Sequence, residues 1–165
     1  MNPSKIFSVL FFVGLIFWIG STIARFTVSN ELLIMGTLDF KPNIDPHSER
    51  IIYSLIANVS SVILFGYFLT WISGIMFLIT TDLSFKKNGW IIMSAILFYI
   101  FTPVEFYTFY LDIKIILLNY FGSNDLVEYR KLLIHRLAAL SGAPFVAILS
   151  YFTMIVCIFF QPLKK

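Results

Sequence analysis

The stretch Trp90–Tyr110, WIIMSAILFYIFTPVEFYTFY, decides how the rest of the chain is read. It supplies about 21 almost uniformly apolar residues, enough helix to cross the roughly 30 Å hydrocarbon core of a bilayer. It also carries one carboxylate, Glu105, two residues beyond Pro103. An acid at that depth costs roughly 3 kcal/mol unless it is paired, protonated or hydrated. The expectation is a membrane helix whose acid has a companion.

Composition points the same way. Of 165 residues, 59% are hydrophobic and only 13% charged, whereas a soluble domain carries roughly 25% charged residues. Such a chain cannot cover its apolar surface with polar groups in water. The expected fold is an all-α integral membrane protein, a four-transmembrane-helix bundle forming one domain over 1–165. Its spans are expected at 6–24, 51–80, 90–111 and 137–160, with helices two to four extending beyond the bilayer on one side. A net charge of +3, carried by residues beside apolar runs, reads as topology and not as a nucleic-acid surface. The single cysteine, Cys157, excludes an intrachain disulfide and reads as a small apolar residue.

Working upstream, span two has a built-in start. Asp45 suits an N-cap, Pro46 the first helical position, and Glu49 the positive end of the helix. Gly66, Thr70 and Gly74 recur every four residues, the small-residue row that tight packing in lipid uses. Residues 26–38 are half apolar and are expected to lie in the interface or to cover the end of the bundle. Span one, between Lys5 and Arg25, is too long for the apolar core of a cleaved leader. Arg25-Phe26 also interrupts the place where cleavage would fall, so the span is expected to be retained.

Downstream, the helical pattern continues through Asp112 and Lys114 to Phe121, with Gly122 as the stop and Ser123 or Asn124 as the next cap. A tip near 122–123 predicts an antiparallel hairpin of helices three and four. Leu126, Val127, Leu132, Leu133 and Leu137 form the stripe facing the partner helix. Span four carries Ala138 and Gly142, and Ala139, Ala143 and Ala147, at four-residue spacing. Pro144 is expected to kink it. Lys5, Lys86, Lys87, Lys164 and Lys165 lie beside span ends on one side, against Asp82 alone. This predicts cytoplasmic termini in an inner or plasma membrane.

Folding the hairpin at its tip sets Glu105 opposite roughly Leu140, with Arg136 about one turn further out and Arg25 at a similar level. The candidate site is therefore Glu105, Arg136, Arg25, Tyr107 and Tyr110, with His135 next to Arg136. It reads either as a pocket relaying a proton or binding an ion or polar headgroup, or as a structural Glu–Arg pair fixing helix register, or as a Glu that snorkels outward. Haem held by both histidines is disfavoured, because His47 and His135 differ in expected depth by ~10 Å. Haem on His135 with another ligand remains an alternative, and no cofactor is predicted. Zinc spacings, a phosphate loop and a nucleophile elbow are missing from the sequence, and no catalytic residue is predicted.

Three functions fit this reading. The first is a non-catalytic scaffold or accessory subunit of a membrane complex. The second is a small oligomeric transporter or proton- or ion-coupled protein using Glu105. The third is a membrane-embedded haem protein or enzyme built around His135, Arg136 and Glu105. Expected partners are membrane lipid and other membrane subunits or a second copy, not nucleic acid.

Overall fold

A computed structural model describes residues 3–34, 37–122, 125–139 and 143–164. Among these the ordered structure is helical, apart from two isolated β-bridges, Leu33–Phe40 and Asn88–Lys164. The helices are α1 (Pro3–Asn30), α2 (Pro46–Thr80), α3 (Gly89–Tyr99), α4 (Thr102–Phe121), α5 (Leu126–Ala138) and α6 (Ala143–Phe160). The stretches Pro3–Asn30, Pro46–Thr80 and Gly89–Phe121 are each long and apolar enough to cross a membrane; Val146–Phe160 is apolar but shorter. Backbone amides have no water to bond in lipid, which is why apolar runs of this length take helical form.

The helix ends follow local chemistry. Asp45 caps α2 from an extended conformation, and its carboxylate accepts the Ser48 N–H at 3.0 Å, with Pro46 in the first turn. Asp125 caps α5 by accepting the Val127 N–H at 2.9 Å. The expected caps there, Ser123 and Asn124, lie outside the described residues. After α1 the chain does cover one end of the bundle, where Leu32 and Leu33 are buried.

Two expected continuous helices are broken. The third stops at Tyr99 and restarts at Thr102, because Pro103 has no N–H for the carbonyl of residue 99 and its ring collides with that turn. The fourth stops at Ala138, since Ala139 turns to ψ 133°, and helix resumes at Ala143. Pro144 thus stands in a first helical turn, where its missing donor costs nothing, and it begins a helix instead of kinking one. The spacing from Ala138 to Gly142 falls outside the described residues.

The small-residue row does bring two backbones together. A Cβ added to Gly66 would lie 2.6 Å from Trp18 N, and one added to Gly14 2.5 Å from Thr70 Oγ1. At Gly74 an added Cβ would press the Tyr99 hydroxyl at 2.6 Å. Across the hairpin, α4 and α5 run antiparallel, tied near the tip by the Tyr129 hydroxyl donating to Asn119 Oδ1 at 3.2 Å. Leu133 of the expected stripe is buried and Leu126, Leu132 and Leu137 pack beside it, but Val127 points away and is exposed.

Two apolar clusters fill the interior. One gathers Leu15, Trp18, Ile63, Tyr67, Phe98, Phe109, Ala147, Tyr151 and Met154. The other gathers Leu32, Leu33, Tyr53, Ile56, Ala57, Ile115, Leu118, Tyr129 and Leu133. Following α1, α2 or α4 from one cluster toward the other crosses a polar residue, Arg25, Ser60 or Asp112, and Arg136 near the end of α5 joins them.

Candidate functional site: a buried ionic layer

Each polar residue of the layer reaches it by helical spacing. Ser60 is three residues from both Ala57 and Ile63, and Asp112 is three from both Phe109 and Ile115. Residues three or four apart share one helix face, so these side chains point into the same interior as their apolar neighbours.

Asp112 is the centre. Its side chain is fully buried, and it accepts Arg25 Nη1 at 2.7 Å and Arg136 Nε at 2.9 Å. Arg25 Nη1 also lies 3.4 Å from Ser60 Oγ. Both arginine side chains are only 12% exposed. The carboxylate therefore ties α1, α4 and α5 together, with α2 joined through Ser60. Guanidinium suits this place, since it stays charged when desolvated and keeps several donors in one plane.

Glu105 stands two turns earlier on the same face of α4, 8% exposed. The Glu–Arg pair offered as one reading of Glu105 has Asp112 in place of Glu105, because Arg136 lies opposite Asp112. Glu105 Oε1 instead accepts the Tyr151 hydroxyl of α6 at 3.0 Å. Leu140, the expected neighbour, lies outside the described residues. The fields of Arg136 and Arg25 still reach Glu105. The break before Thr102 also places Glu105 in the first turn of a fresh helix, whose positive end favours a carboxylate. The Tyr151 ring packs against Trp18 at 4.7 Å, and the Tyr67 hydroxyl donates to Thr102 Oγ1 at 3.3 Å, so this carboxyl is walled by aromatic and hydroxyl groups.

Tyr107, Tyr110 and His135 do not join the layer. Tyr107 and Tyr110 are 40% and 54% exposed. Tyr107 shares a hydrogen bond of 3.2 Å with His135 Nε2 on the outer face, and Lys114 Nζ sits 4.4 Å above the Tyr110 ring. They lie on the opposite side of α4 from Thr108, Asp112 and Ile115, as helical spacing from Glu105 requires. His47 is exposed at the start of α2, apart from His135. Among the described residues no three His, Cys, Asp or Glu side chains gather as metal ligands.

A second buried pair went unnoticed in the sequence. Glu49, fully buried, accepts Arg130 Nε and Nη2 at 2.6 Å each, a bidentate fork. Arg130 also covers the Phe40 ring at 5.3 Å, and Tyr53 stacks on Tyr129 at 4.7 Å beside it. The signals for both missed acids were present. Glu49, Tyr53, Ile56 and Ser60 form one stripe, and Glu105, Thr108, Asp112 and Ile115 another.

Chemically, the layer can clamp helices in one register, and its single carboxyl bonded only to hydroxyl can exchange a proton. In comparisons with known proteins, no family model, no curated protein and no solved structure matches this chain.

Proposed function

We propose that this chain is a multi-pass membrane protein of four crossings, α6 with the segment before it being the fourth, that acts without catalysis as a scaffold or accessory subunit. The observation that supports it is the closure of the ionic layer. Asp112 and Glu49 are each saturated by arginine from another helix. Asp112, Glu105, Arg25 and Arg136 line neither the pocket among α1, α2, α3 and α6 nor the cleft bordered by Phe26, Ser29, Leu33 and Leu137. Groups so enclosed hold helices in register; they offer no substrate a reactive atom. The same reading sets both termini in the cytoplasm, with helices two to four reaching beyond the bilayer on the other side.

The test is purification in two mild detergents and in lipid nanodiscs. A scaffold travels with the same membrane subunit, or with a second copy, at fixed stoichiometry in all three, and Glu105→Gln leaves that assembly intact. A lone chain in all three media refutes the reading. Single cysteines at Ser84 and Asn43 in a Cys157→Ser background, labelled by an impermeant maleimide on intact cells, test the orientation; only the one at Asn43 is expected to react.

A second reading, a proton- or ion-coupled protein, draws on the two helix breaks. α4 restarts at Thr102 and α6 starts at Ala143. The antiparallel hairpin brings these interruptions to similar levels, beside Glu105. Broken helices with an acid between them occur where ions cross membranes. Proton flux into liposomes that disappears in Glu105→Gln is the result that favours it over the scaffold.

A further inference from the structure

A pocket of about 90 Å³ lies at the other end of the bundle from the ionic layer, among α1, α2, α3 and α6. Its wall is almost wholly apolar, with Phe11, Phe77, Phe98 and Met154 among the lining residues. The polar groups on it are Ser8 of α1, Tyr99, whose hydroxyl donates to the Trp71 carbonyl at 3.0 Å, and, one turn apart on α3, Trp90 and Ser94. The last two are more than nine-tenths buried, at 9% and 7% exposure. Among the described residues neither Trp90 Nε1 nor Ser94 Oγ has a hydrogen-bond partner.

The bare Ser94 hydroxyl differs from six others on these helices. Thr22, Ser61, Thr70, Ser73, Thr80 and Thr153 each donate to the carbonyl four residues earlier on their own helix. Such back-bonding is how a hydroxyl avoids desolvation in lipid. Ser94 forgoes it, and Trp90 has only its one N–H to give. A buried donor without an acceptor is costly, and solvent does not reach either atom. Both residues line the pocket, and rotamer changes at both, Ser94 about χ1 and the Trp90 ring about χ1 and χ2, are required to turn the two donors into it.

We propose that this pocket holds the neck of a bilayer glycerolipid, with an upper acyl chain along the aromatic wall and the two ester carbonyls accepting from Trp90 Nε1–H and Ser94 Oγ–H. The depth matches. Lys86, Lys87 and Asn88 precede α3 and Trp90 is its second residue, which puts Trp90 at the level of ester groups, where tryptophan concentrates. The chemistry matches too: two donors one turn apart meet two acceptors on one molecule. A slender chain also suits a space of this size better than a broad ring system. The site is separate from the ionic layer and requires only that the bundle lies in lipid, which resistance to alkaline carbonate extraction tests independently.

The experiment is native mass spectrometry of the full chain released from micelles containing a diacyl phosphatidylglycerol or its diether analogue. The two lipids share headgroup and chain length and differ only in the carbonyls. Retention of the diester is expected to exceed that of the diether by about fivefold or more, the factor that one hydrogen bond commonly contributes. Trp90→Phe combined with Ser94→Ala should erase the difference, and Ala95→Leu, which fills the pocket, should reduce retention of both lipids. Equal retention of diester and diether by the unaltered protein overturns the proposal without any variant. Preference persisting in both variants, displacement of the diester by an added isoprenoid quinone, or retention of neither lipid overturns it as well.

Discussion

Replacing Asp112 by Asn tests the ionic layer most directly. The wild-type side chain is fully buried and neutralises two guanidiniums at 2.7 and 2.9 Å, each only 12% exposed. Asn keeps the shape and one acceptor oxygen but removes the charge, so two desolvated cations lose their shared anion. Breaking a buried ion pair by removing one partner costs about 3–5 kcal/mol. The lower end applies here, about 3 kcal/mol, because the arginines retain some exposure and Arg25 keeps Ser60 within reach. For a chain of this length that corresponds to a fall in midpoint of roughly 6–12 °C. Arg136→Met should cost less than half as much, since it leaves a balanced Arg25–Asp112 pair and replaces a buried cation by an apolar chain of similar length. The assay is thermal and denaturant unfolding in one detergent, followed by helical circular dichroism. If Asp112→Asn unfolds within about 1 kcal/mol of wild type, or if Arg136→Met proves the more damaging, the layer is not the desolvated triad described here.

Four further outcomes are expected. Gly66→Ala forces a Cβ to within 2.6 Å of the Trp18 backbone and should cost about 1–3 kcal/mol, whereas Gly20→Ala, with nothing within 4 Å, should be neutral or stabilising; the same unfolding assay compares them. Arg130→Met strands the fully buried Glu49 and should cost about 2–3 kcal/mol, discounted because Arg130 itself is 45% exposed. His135→Ala and Tyr107→Phe should each change stability by no more than about 0.5 kcal/mol, because their hydrogen bond lies on the outer face. The Ser48 N–H holds the Asp45 carboxyl below the usual carboxylate range. Its folded-state pKa is depressed, so the cap's contribution is present above the unfolded value near ~3.9 and is lost as pH falls through the folded one. The protection factor of the Ser48 amide, its intrinsic exchange rate divided by the observed rate at the same pH, should therefore fall on acidification in wild type, but not in Asp45→Asn, which caps without titrating.

Much of the architecture was legible residue by residue. Long apolar runs, the Asp45-Pro46 start and the Gly66-Thr70-Gly74 row announced helices, an end and a contact through effects that act within a turn or two. The site was half legible. Arg25 and Arg136 were singled out and do meet, but around Asp112, which had been assigned to the part of the helix beyond the lipid. Folding the hairpin at its tip missed the true register by a few residues, which is enough to exchange one acid for another seven positions along. Tyr107 and Tyr110 looked close to Glu105 in sequence, but helical rotation turns them outward.

Sequence alone thus determined what lies in helix and which residue types must be matched inside, because apolar length, capping and small-residue spacing are local properties. Only the packed structure decided which charge meets which. That choice depends on how two unbroken helices, α1 and α2, line up with two interrupted spans, and a proline that breaks or begins a turn shifts the alignment of everything after it. At about 100° of helix rotation per residue, a side chain faces Asp112, Tyr151 or lipid according to rotations that no single helix encodes.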